Sequence, residues 1–185
     1  MELIITLVIA AILVSLAVPN MRTFIQNGRI STQANDFVTD ITYARSEAIK
    51  RGTNVALCAS TSGTACTSVA GSSVAGYWEI GHMIFADSDN SNTWSGSPTD
   101  TPLRFREAMG GTNNTLRGVP GPLVFNSQGF LIWAGVGPIP IPPGALPYTF
   151  NLCDDRGTSR GRAITLNWTG QVRVLSSSSP PASCP

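Results

Sequence analysis

The chain has 185 residues, of which 42% are hydrophobic and 12% charged, and its net charge is +1. This length suits one domain, and the charged fraction is about half of the roughly 25% that is typical of globular proteins. The composition excludes full-length disorder, which requires low hydrophobicity and high net charge. The near-neutral charge excludes a strongly basic nucleic-acid-binding scaffold, and the single long apolar segment excludes a polytopic membrane protein.

The N-terminal segment is the longest apolar stretch, and residues 3–18 read LIITLVIAAILVSLAV. The uncharged stretch continues to residue 21, and as a helix it would be roughly 28 Å long, close to the thickness of a hydrocarbon core. A cleaved signal peptide would have basic residues before the apolar run and a small-residue cleavage site after it. Here Glu2 precedes the run instead. The sequence therefore predicts a transmembrane stem over residues 1–21.

Two residues in this stem need a physical explanation. The Glu2 carboxylate is costly in lipid unless it is neutralised or paired, so it lies among the headgroups or pairs with a positive group on a neighbouring copy or partner. Pro19 lacks a backbone N–H group and would kink a helix at that point.

Residues 22–52 continue the helix as an amphipathic segment that would pack on the head. Polar side chains occupy much of one side, namely Gln33, Asp36, Asp40, Arg45, Glu47 and Lys50. Gly52 is a good helix stop because it follows Lys50 and Arg51. The first 51 residues thus predict one long, kinked helix. Apolar residues recur near one face with helical spacing at Ile30, Ala34, Phe37, Val38, Ile41, Ala44 and Ile49.

Residues 53–185 predict a β-rich head, because short apolar runs alternate with Gly, Pro, Asn and Ser clusters. NSQG (126–129) and NWTG (167–170) have the composition of hairpin turns. Six or seven strands at this spacing fit an antiparallel sheet on which the helix packs, which is an α+β fold with a protruding apolar stem. The runs cover residues 54–59, 77–87, 101–109, 121–135, 148–154, 162–170 and 171–175.

The four cysteines, Cys58, Cys66, Cys153 and Cys184, indicate an exported domain with two disulfides. Four cysteines allow three pairings, and the spacing favours Cys58 with Cys66 and Cys153 with Cys184. Metal ligation by the four is less favoured, because no CxxC pair is present.

The sequence predicts no enzyme, cofactor or metal site, since no nucleophile motif, Walker loop or zinc motif occurs. His82 is the only histidine, and its place in an apolar run indicates a packed or surface side chain rather than a base. Asp87 and Asp89 resemble the start of a calcium loop, but Asn92 and Pro98 stand where an EF-hand needs Gly and Glu. A strand-connecting turn is the better interpretation.

A basic run near the C-terminus suggests a second kind of partner. If its arginines project together, they form a patch that binds DNA phosphates in a sequence-blind, salt-sensitive way. Alternatively, Arg156 pairs with Asp154 or Asp155 and the other arginines are solvated. The run lies within 18 residues that contain no acidic residue, and it consists of Arg156, Arg160, Arg162 and Arg173.

A family resemblance covers nearly the whole chain. The spacing from Glu2 to Pro19 resembles the stem of type IV pilins and type II secretion pseudopilins, where an invariant Glu and a Pro also lie seventeen positions apart. The blocks that follow resemble the GspH/FimT family, which includes the FimT and FimU minor pilins. They are YARSEAIKRGTNVALC (43–58), GHMIFADSDN (81–90), LRFREA (103–108), LVFNSQGF (123–130), FNLCDDRG (150–157) and GRAITLNWTGQVRV (161–174).

This resemblance implies a non-catalytic minor pilin or pseudopilin that primes or joins a type IV pilus or a type II secretion pseudopilus. Its location would be the bacterial inner membrane, crossed once, with the head in the periplasm. Its partners would be other minor and major pilins or pseudopilins, the inner-membrane assembly platform and inner-membrane lipid. By the same resemblance, Glu2 pairs with the N-terminal amine of an adjacent subunit and Pro19 is the pilin kink.

The sequence departs from the family in two places. Prepilins carry a basic leader ending in Gly, then Phe-Thr-Leu-Ile before the Glu, whereas here only Met1 precedes Glu2. We therefore expect a longer natural N-terminus, with prepilin peptidase as a further partner. Some DNA-binding members carry Gly-Arg-x-Arg near the C-terminus. Here Gln171 replaces the first arginine and Arg173 matches the second, which weakens the alternative of a DNA receptor for natural transformation.

Overall fold

A long N-terminal helix dominates the structure. The computed structural model describes residues 2–67, 76–111, 113–134, 147–175 and 184, except for the side chains of residues 2 and 16–20. Helix α1 (Glu2–Arg51) runs through Pro19 without interruption. It ends at Gly52, which has a φ of +67° and donates its N–H to the Ala48 carbonyl oxygen at 3.0 Å. The predicted helix over the first 51 residues is confirmed.

The described part of the head contains nine strands in two antiparallel sheets. One sheet has the order β3-β2-β1-β5-β6, and the other has the order β4-β7-β8-β9. The strands are β1 (Asn54–Ala59), β2 (His82–Asp87), β3 (Thr101–Arg106), β4 (Thr115–Arg117), β5 (Leu123–Phe125), β6 (Leu131–Ala134), β7 (Tyr148–Cys153), β8 (Arg162–Leu166) and β9 (Val172–Val174).

The strand predictions are confirmed apart from three differences. The run at 77–87 begins as a 3-10 helix at Trp78–Ile80, before β2. Strand β4 is not predicted, because Leu116 is the only apolar residue in its three positions. The strands also form two sheets instead of one. Both hairpin turns are present, and a backbone hydrogen bond closes each of them. The Gly129 N–H donates to the Asn126 carbonyl oxygen at 2.8 Å, and the Gly170 N–H donates to the Asn167 carbonyl oxygen at 2.9 Å.

The C-terminal half of α1 packs against both sheets and supplies one wall of the core. The ring of Phe37 lies edge-on to Trp78 and Phe150, with centroids 5.6 and 5.1 Å away. One member of the predicted face is wrong, since Ile49 is 51% exposed and Ala48 is buried instead. Ala48 follows Ile30 by about five turns of 3.6 residues, so it returns to the same face, whereas Ile49 is rotated past it.

Three polar residues expected on the exposed side of α1 are buried: Gln33, Asp40 and Glu47. Glu47 is neutralised within the helix, because Arg51 Nε donates to it at 2.7 Å and Lys50 Nζ at 3.2 Å. Gln33 Nε2 donates to the Gly110 carbonyl oxygen at 2.7 Å. Buried polar groups are tolerated when they are paired in this way.

The structure contains two disulfides, Cys58–Cys66 and Cys153–Cys184, separated by 8 and 31 residues along the chain. These are the pairs that the spacing favours. The second one ties the C-terminal tail to β7, whose last residue is Cys153.

We expect Cys153→Ser to lower the free energy of unfolding by about 2–5 kcal/mol, because the longer loop constrains the unfolded chain more strongly. Thermal denaturation of the full chain in a non-ionic detergent measures this loss. The matched control is Cys66→Ser, which opens the shorter loop and should cost less. Equal stability of Cys153→Ser and the unmodified chain would contradict the prediction.

Candidate assembly surface and charged sites

The N-terminal part of α1 presents exposed apolar side chains on all of its sides. Every described side chain from residue 3 to residue 15 is exposed. Apolar exposure on this scale is rare on monomeric proteins and marks a surface that another molecule covers. The large apolar members range from 52% to 71% exposed and are Leu3, Ile4, Ile5, Leu7, Val8, Ile9, Ile12, Leu13 and Val14.

Two predictions about this surface are not tested by the structure. In the part of the chain that the structure describes, no helix combines the length and apolarity needed to cross a membrane. The transmembrane stem over residues 1–21 stays a prediction. The side chains of Glu2 and Pro19 lie outside the described residues, so their predicted roles in pairing and kinking are also untested.

The C-terminal half of α1, which we call its head half, is bonded to the first sheet through the carboxylate of Asp40. This carboxylate is fully buried. Arg104 Nη1 donates to Asp40 Oδ1 at 2.9 Å, and His82 Nε2 lies 2.8 Å from Oδ2. Arg106 donates to both oxygens, from Nη2 to Oδ1 at 3.1 Å and from Nε to Oδ2. This carboxylate thus connects the helix to β2 and β3. We call these four residues the Asp40 cluster.

These contacts set the ionisation of Asp40. Burial raises the pKa of its carboxyl group, but hydrogen bonds from His82, Arg106 and Arg104 outweigh burial and hold the pKa well below its usual range. The sequence contained a signal for the site, since Asp40 falls three residues after Phe37 and four before Ala44, on the buried stripe. A carboxylate at a core position requires cationic partners.

A second acidic group lies in the turn after β2. Carboxylate oxygens of Asp87, Asp89 and Asp100 lie within 4.8 Å of one another. Asp87 accepts backbone N–H bonds from Ser91 and Asn92 at 3.1 and 3.0 Å, so it organises the loop. Burial is the largest cause that raises the pKa of Asp87 to about 6. This arrangement has the character of the predicted strand-connecting turn.

The four C-terminal arginines do not share one surface. Arg156 donates to Asp154 Oδ2 from Nε at 2.9 Å and to Asn27 Oδ1 from Nη1 at 2.8 Å, so it is held against α1. The alternative pairing of Arg156 with Asp154 is therefore present. Arg160 is exposed in the loop that precedes β8.

The remaining two arginines lie on neighbouring strands. Arg162 begins β8, and Arg173 in β9 pairs across the sheet with Thr165. Because Thr165 is three residues from Arg162, strand alternation projects Arg162 and Arg173 from opposite faces. The predicted DNA role of these residues stays a prediction.

The structure brings Arg45 of α1 beside Arg173, a neighbour that the sequence analysis missed. Arg45 Nε donates to the Gly129 carbonyl oxygen at 3.0 Å. Together with Thr42 and residues 170–173, these arginines line a surface cavity of about 280 Å³. The two hairpin turns meet there, and a Cβ on Gly170 would approach the Gly129 carbonyl oxygen to 2.4 Å, so only glycine fits.

An aromatic stack belongs to the same two hairpins. Phe130 lies parallel to Trp168, with ring centroids 5.4 Å apart and an interplanar angle of 11°. The Leu131 N–H donates to the Trp168 carbonyl oxygen at 2.9 Å, which joins an edge of the first sheet to the β8–β9 turn. No local sequence signal could have revealed this meeting of two distant hairpins.

A long helix with an exposed apolar N-terminal half and a C-terminal half packed on antiparallel sheets defines the pilin class of proteins. Residues 33–170 match the family model described as type II transport protein GspH, and the chain belongs to this family. The predicted GspH/FimT relationship and the α+β pilin fold are confirmed. The family consists of structural subunits of pili and pseudopili, which makes this chain a component of such a fibre.

Two solved structures share the fold. Both are crystal forms of the type IV minor pilin FimU from Pseudomonas aeruginosa, each 23% identical to this chain. The first has a TM-score of 0.61 and covers 87% of this chain and 98% of FimU. The second has a TM-score of 0.57 and covers 83% and 98% respectively. The comparison with curated proteins gave no match.

Proposed function

We propose that this chain is a non-catalytic minor subunit that joins a type IV pilus or a type II secretion pseudopilus and helps to prime its assembly. The observation that carries the proposal is the exposed apolar surface of α1 from Leu3 to Val14. Membership of the GspH family and the fold shared with a type IV minor pilin support it. The proposal covers both the type IV pilus and the type II secretion pseudopilus.

The physical basis is the cost of leaving apolar surface in water, about 25 cal/mol per Å². Before assembly, the stem rests in the inner membrane with the head in the periplasm, held near the assembly platform. In the fibre, stems of neighbouring pilins or pseudopilins replace lipid around it. Small residues such as Ala10 and Ala11 let these helices approach closely, because packing then holds the bundle together.

The test compares two Asp substitutions on exposed positions of the same helix. Val8→Asp places a charge on the apolar surface, whereas Asn35→Asp places one on the exposed side of the head half. We expect Val8→Asp to be absent from sheared fibres and Asn35→Asp to be present. Cells that carry only a type IV pilus system or only a type II secretion system separate the two machines. Two outcomes would overturn the proposal. Either both variants enter the fibres, or both variants and the unmodified chain are absent from them.

A second candidate function is DNA binding at the cavity beside Arg45 and Arg173. Guanidinium groups contact phosphates, and the neighbouring Phe130–Trp168 stack offers an aromatic surface for an unpaired base. The surface is small, so the interaction would be weak and salt-sensitive. This candidate would make the subunit a receptor for DNA uptake.

The experiment measures binding of single-stranded and duplex DNA to the full chain in non-ionic detergent across a salt series. Arg173→Ala should weaken binding and reduce the salt dependence by about one counterion. Arg160→Ala is the matched control, because it removes an exposed arginine elsewhere on the head. Equal loss in both variants would contradict a DNA site at this cavity, and no binding at low salt would contradict the DNA role altogether.

A further inference from the structure

A cavity of about 400 Å³ lies between the head half of α1 and the end of β3 with the segment after it. Its volume is within the range of ordinary ligand pockets. Phe37, Phe105 and Met109 contribute apolar wall, and the polar wall consists of Gln33, Asp36, His82, Arg106 and Glu107. The lining thus combines apolar side chains with hydrogen-bonding groups. This cavity is separate from the exposed apolar surface of α1 and from the cavity beside Arg45.

The imidazole of His82 has one nitrogen without a described partner. Its Nε2 faces the ionised Asp40 carboxylate at 2.8 Å and therefore carries the hydrogen of that bond. In the neutral ring this leaves Nδ1 as a hydrogen-bond acceptor. Nδ1 is buried and has no hydrogen-bond partner among the described residues, although the whole side chain is only 2% exposed. Buried acceptors of this kind require a donor.

The carboxylates at the cavity also have unused capacity. Asp36 is 46% exposed, and its described partner is Arg106 Nη1 at 3.6 Å, beyond hydrogen-bond distance. Glu107 is exposed, and no described residue forms a hydrogen bond or ion pair with it. Among the charged groups that line the cavity, the carboxylates of Asp36 and Glu107 outnumber the single guanidinium group of Arg106, which also pairs with the buried Asp40.

We propose that this cavity receives a lysine or arginine side chain from a neighbouring polypeptide chain. The methylene stem would pack between the apolar walls, and the cationic head would donate hydrogen bonds to the free acceptors, which is how long basic side chains bury themselves. A neighbouring subunit is the occupant because Gln33, Asp36 and Phe37 of α1 line the cavity, and α1 is the helix that the proposed function places against other subunits. The inference rests on that function only for the source of the side chain.

Binding is measured on the full chain in non-ionic detergent, with NMR signals from the His82 ring and from the backbone amides of residues 105–110. The probe is the peptide acetyl-Gly-Lys-Gly-amide, and the matched probe contains norleucine, which has the same stem without the charge. We expect saturable shifts with the lysine peptide only. In Asp36→Asn/Glu107→Gln the affinity should fall about threefold to fivefold, the size of one or two partly exposed ion pairs.

Asp155→Asn serves as the control variant, because it removes an exposed carboxylate away from the cavity and should leave the affinity unchanged. Absence of saturation, equal binding of the norleucine peptide, or equal affinity in the double variant would overturn the inference. Fibre incorporation of the unmodified chain is scored separately. Peptide binding without incorporation would overturn the proposed function alone, and incorporation without peptide binding would overturn the cavity inference alone.

Discussion

Asp40→Asn should lower the free energy of unfolding by about 3 kcal/mol, the lower end of the range for breaking a buried ion pair. The carboxylate is fully buried and neutralises two arginines that reach it from β3. An amide of the same shape leaves Arg104 without a counter-charge and leaves Arg106 with only its long ion pair to Asp36. The loss stays at the lower end because Arg104 and Arg106 keep 38% and 33% of their side chains exposed and can recover water.

Asp36→Asn is the matched control for this prediction. Asp36 precedes Asp40 by about one helical turn and also faces Arg106, but it is half-exposed and its ion pair is long. We expect a change of about 0–1 kcal/mol there, as for exposed pairs. Thermal denaturation should then show a decrease of about 6–12 °C for Asp40→Asn. Equal midpoints for the two variants would show that the Asp40 cluster does not fasten the helix.

The pH dependence provides an independent check on the same carboxylate. A group whose folded pKa is lowered contributes stability above its unfolded pKa, about 3.9 for Asp, and loses it as the pH falls toward the folded value. Hydrogen bonds lower the pKa of Asp40, so the unmodified chain should lose stability below about pH 4. Asp40→Asn should lose less over that interval, which denaturation midpoints between pH 5 and pH 2 measure.

Local patterning was enough to predict most of the fold. Helix α1 ends where Lys50, Arg51 and Gly52 indicate, and both hairpins form at their turn residues. Division into two sheets was not predictable, because it depends on which strands pair. For instance, β1 pairs with β5 across more than sixty residues of sequence. Alternating apolar residues specify a strand but not its neighbour.

The charged sites show the same division between local and non-local information. Asp40 stands on the buried stripe of α1, so its need for a cation follows from helical spacing alone. Its partners could not be named, since Arg104 and Arg106 lie more than sixty residues away. The four C-terminal arginines illustrate the converse, because their proximity in sequence suggested one basic patch. The structure divides them: Arg156 bonds to Asp154, and strand alternation in β8 points Arg162 away from Arg173.

Glu2→Gln should reduce incorporation into fibres by about a hundredfold or more, if Glu2 pairs with a neighbour's N-terminal amine as the family resemblance implies. Glu2 begins α1, directly before the exposed apolar surface that the fibre would cover. In such dry surroundings, removing one partner of an ion pair costs about 3–5 kcal/mol, because the other charge remains buried and unpaired. An equilibrium constant changes tenfold for each 1.4 kcal/mol.

The measurement is the ratio of the chain in sheared fibres to the chain in membranes, with the head monitored by thermal denaturation. Glu2→Asp is the control, since it keeps the charge and shortens the side chain by one methylene, and it should incorporate better than Glu2→Gln. Both variants should retain the denaturation midpoint of the unmodified chain, because Glu2 lies more than twenty residues before Gln26 and Asn27, where α1 bonds to the head. If Glu2→Gln enters fibres as well as Glu2→Asp, apolar packing of the stem alone drives assembly and the charge at its end has another role.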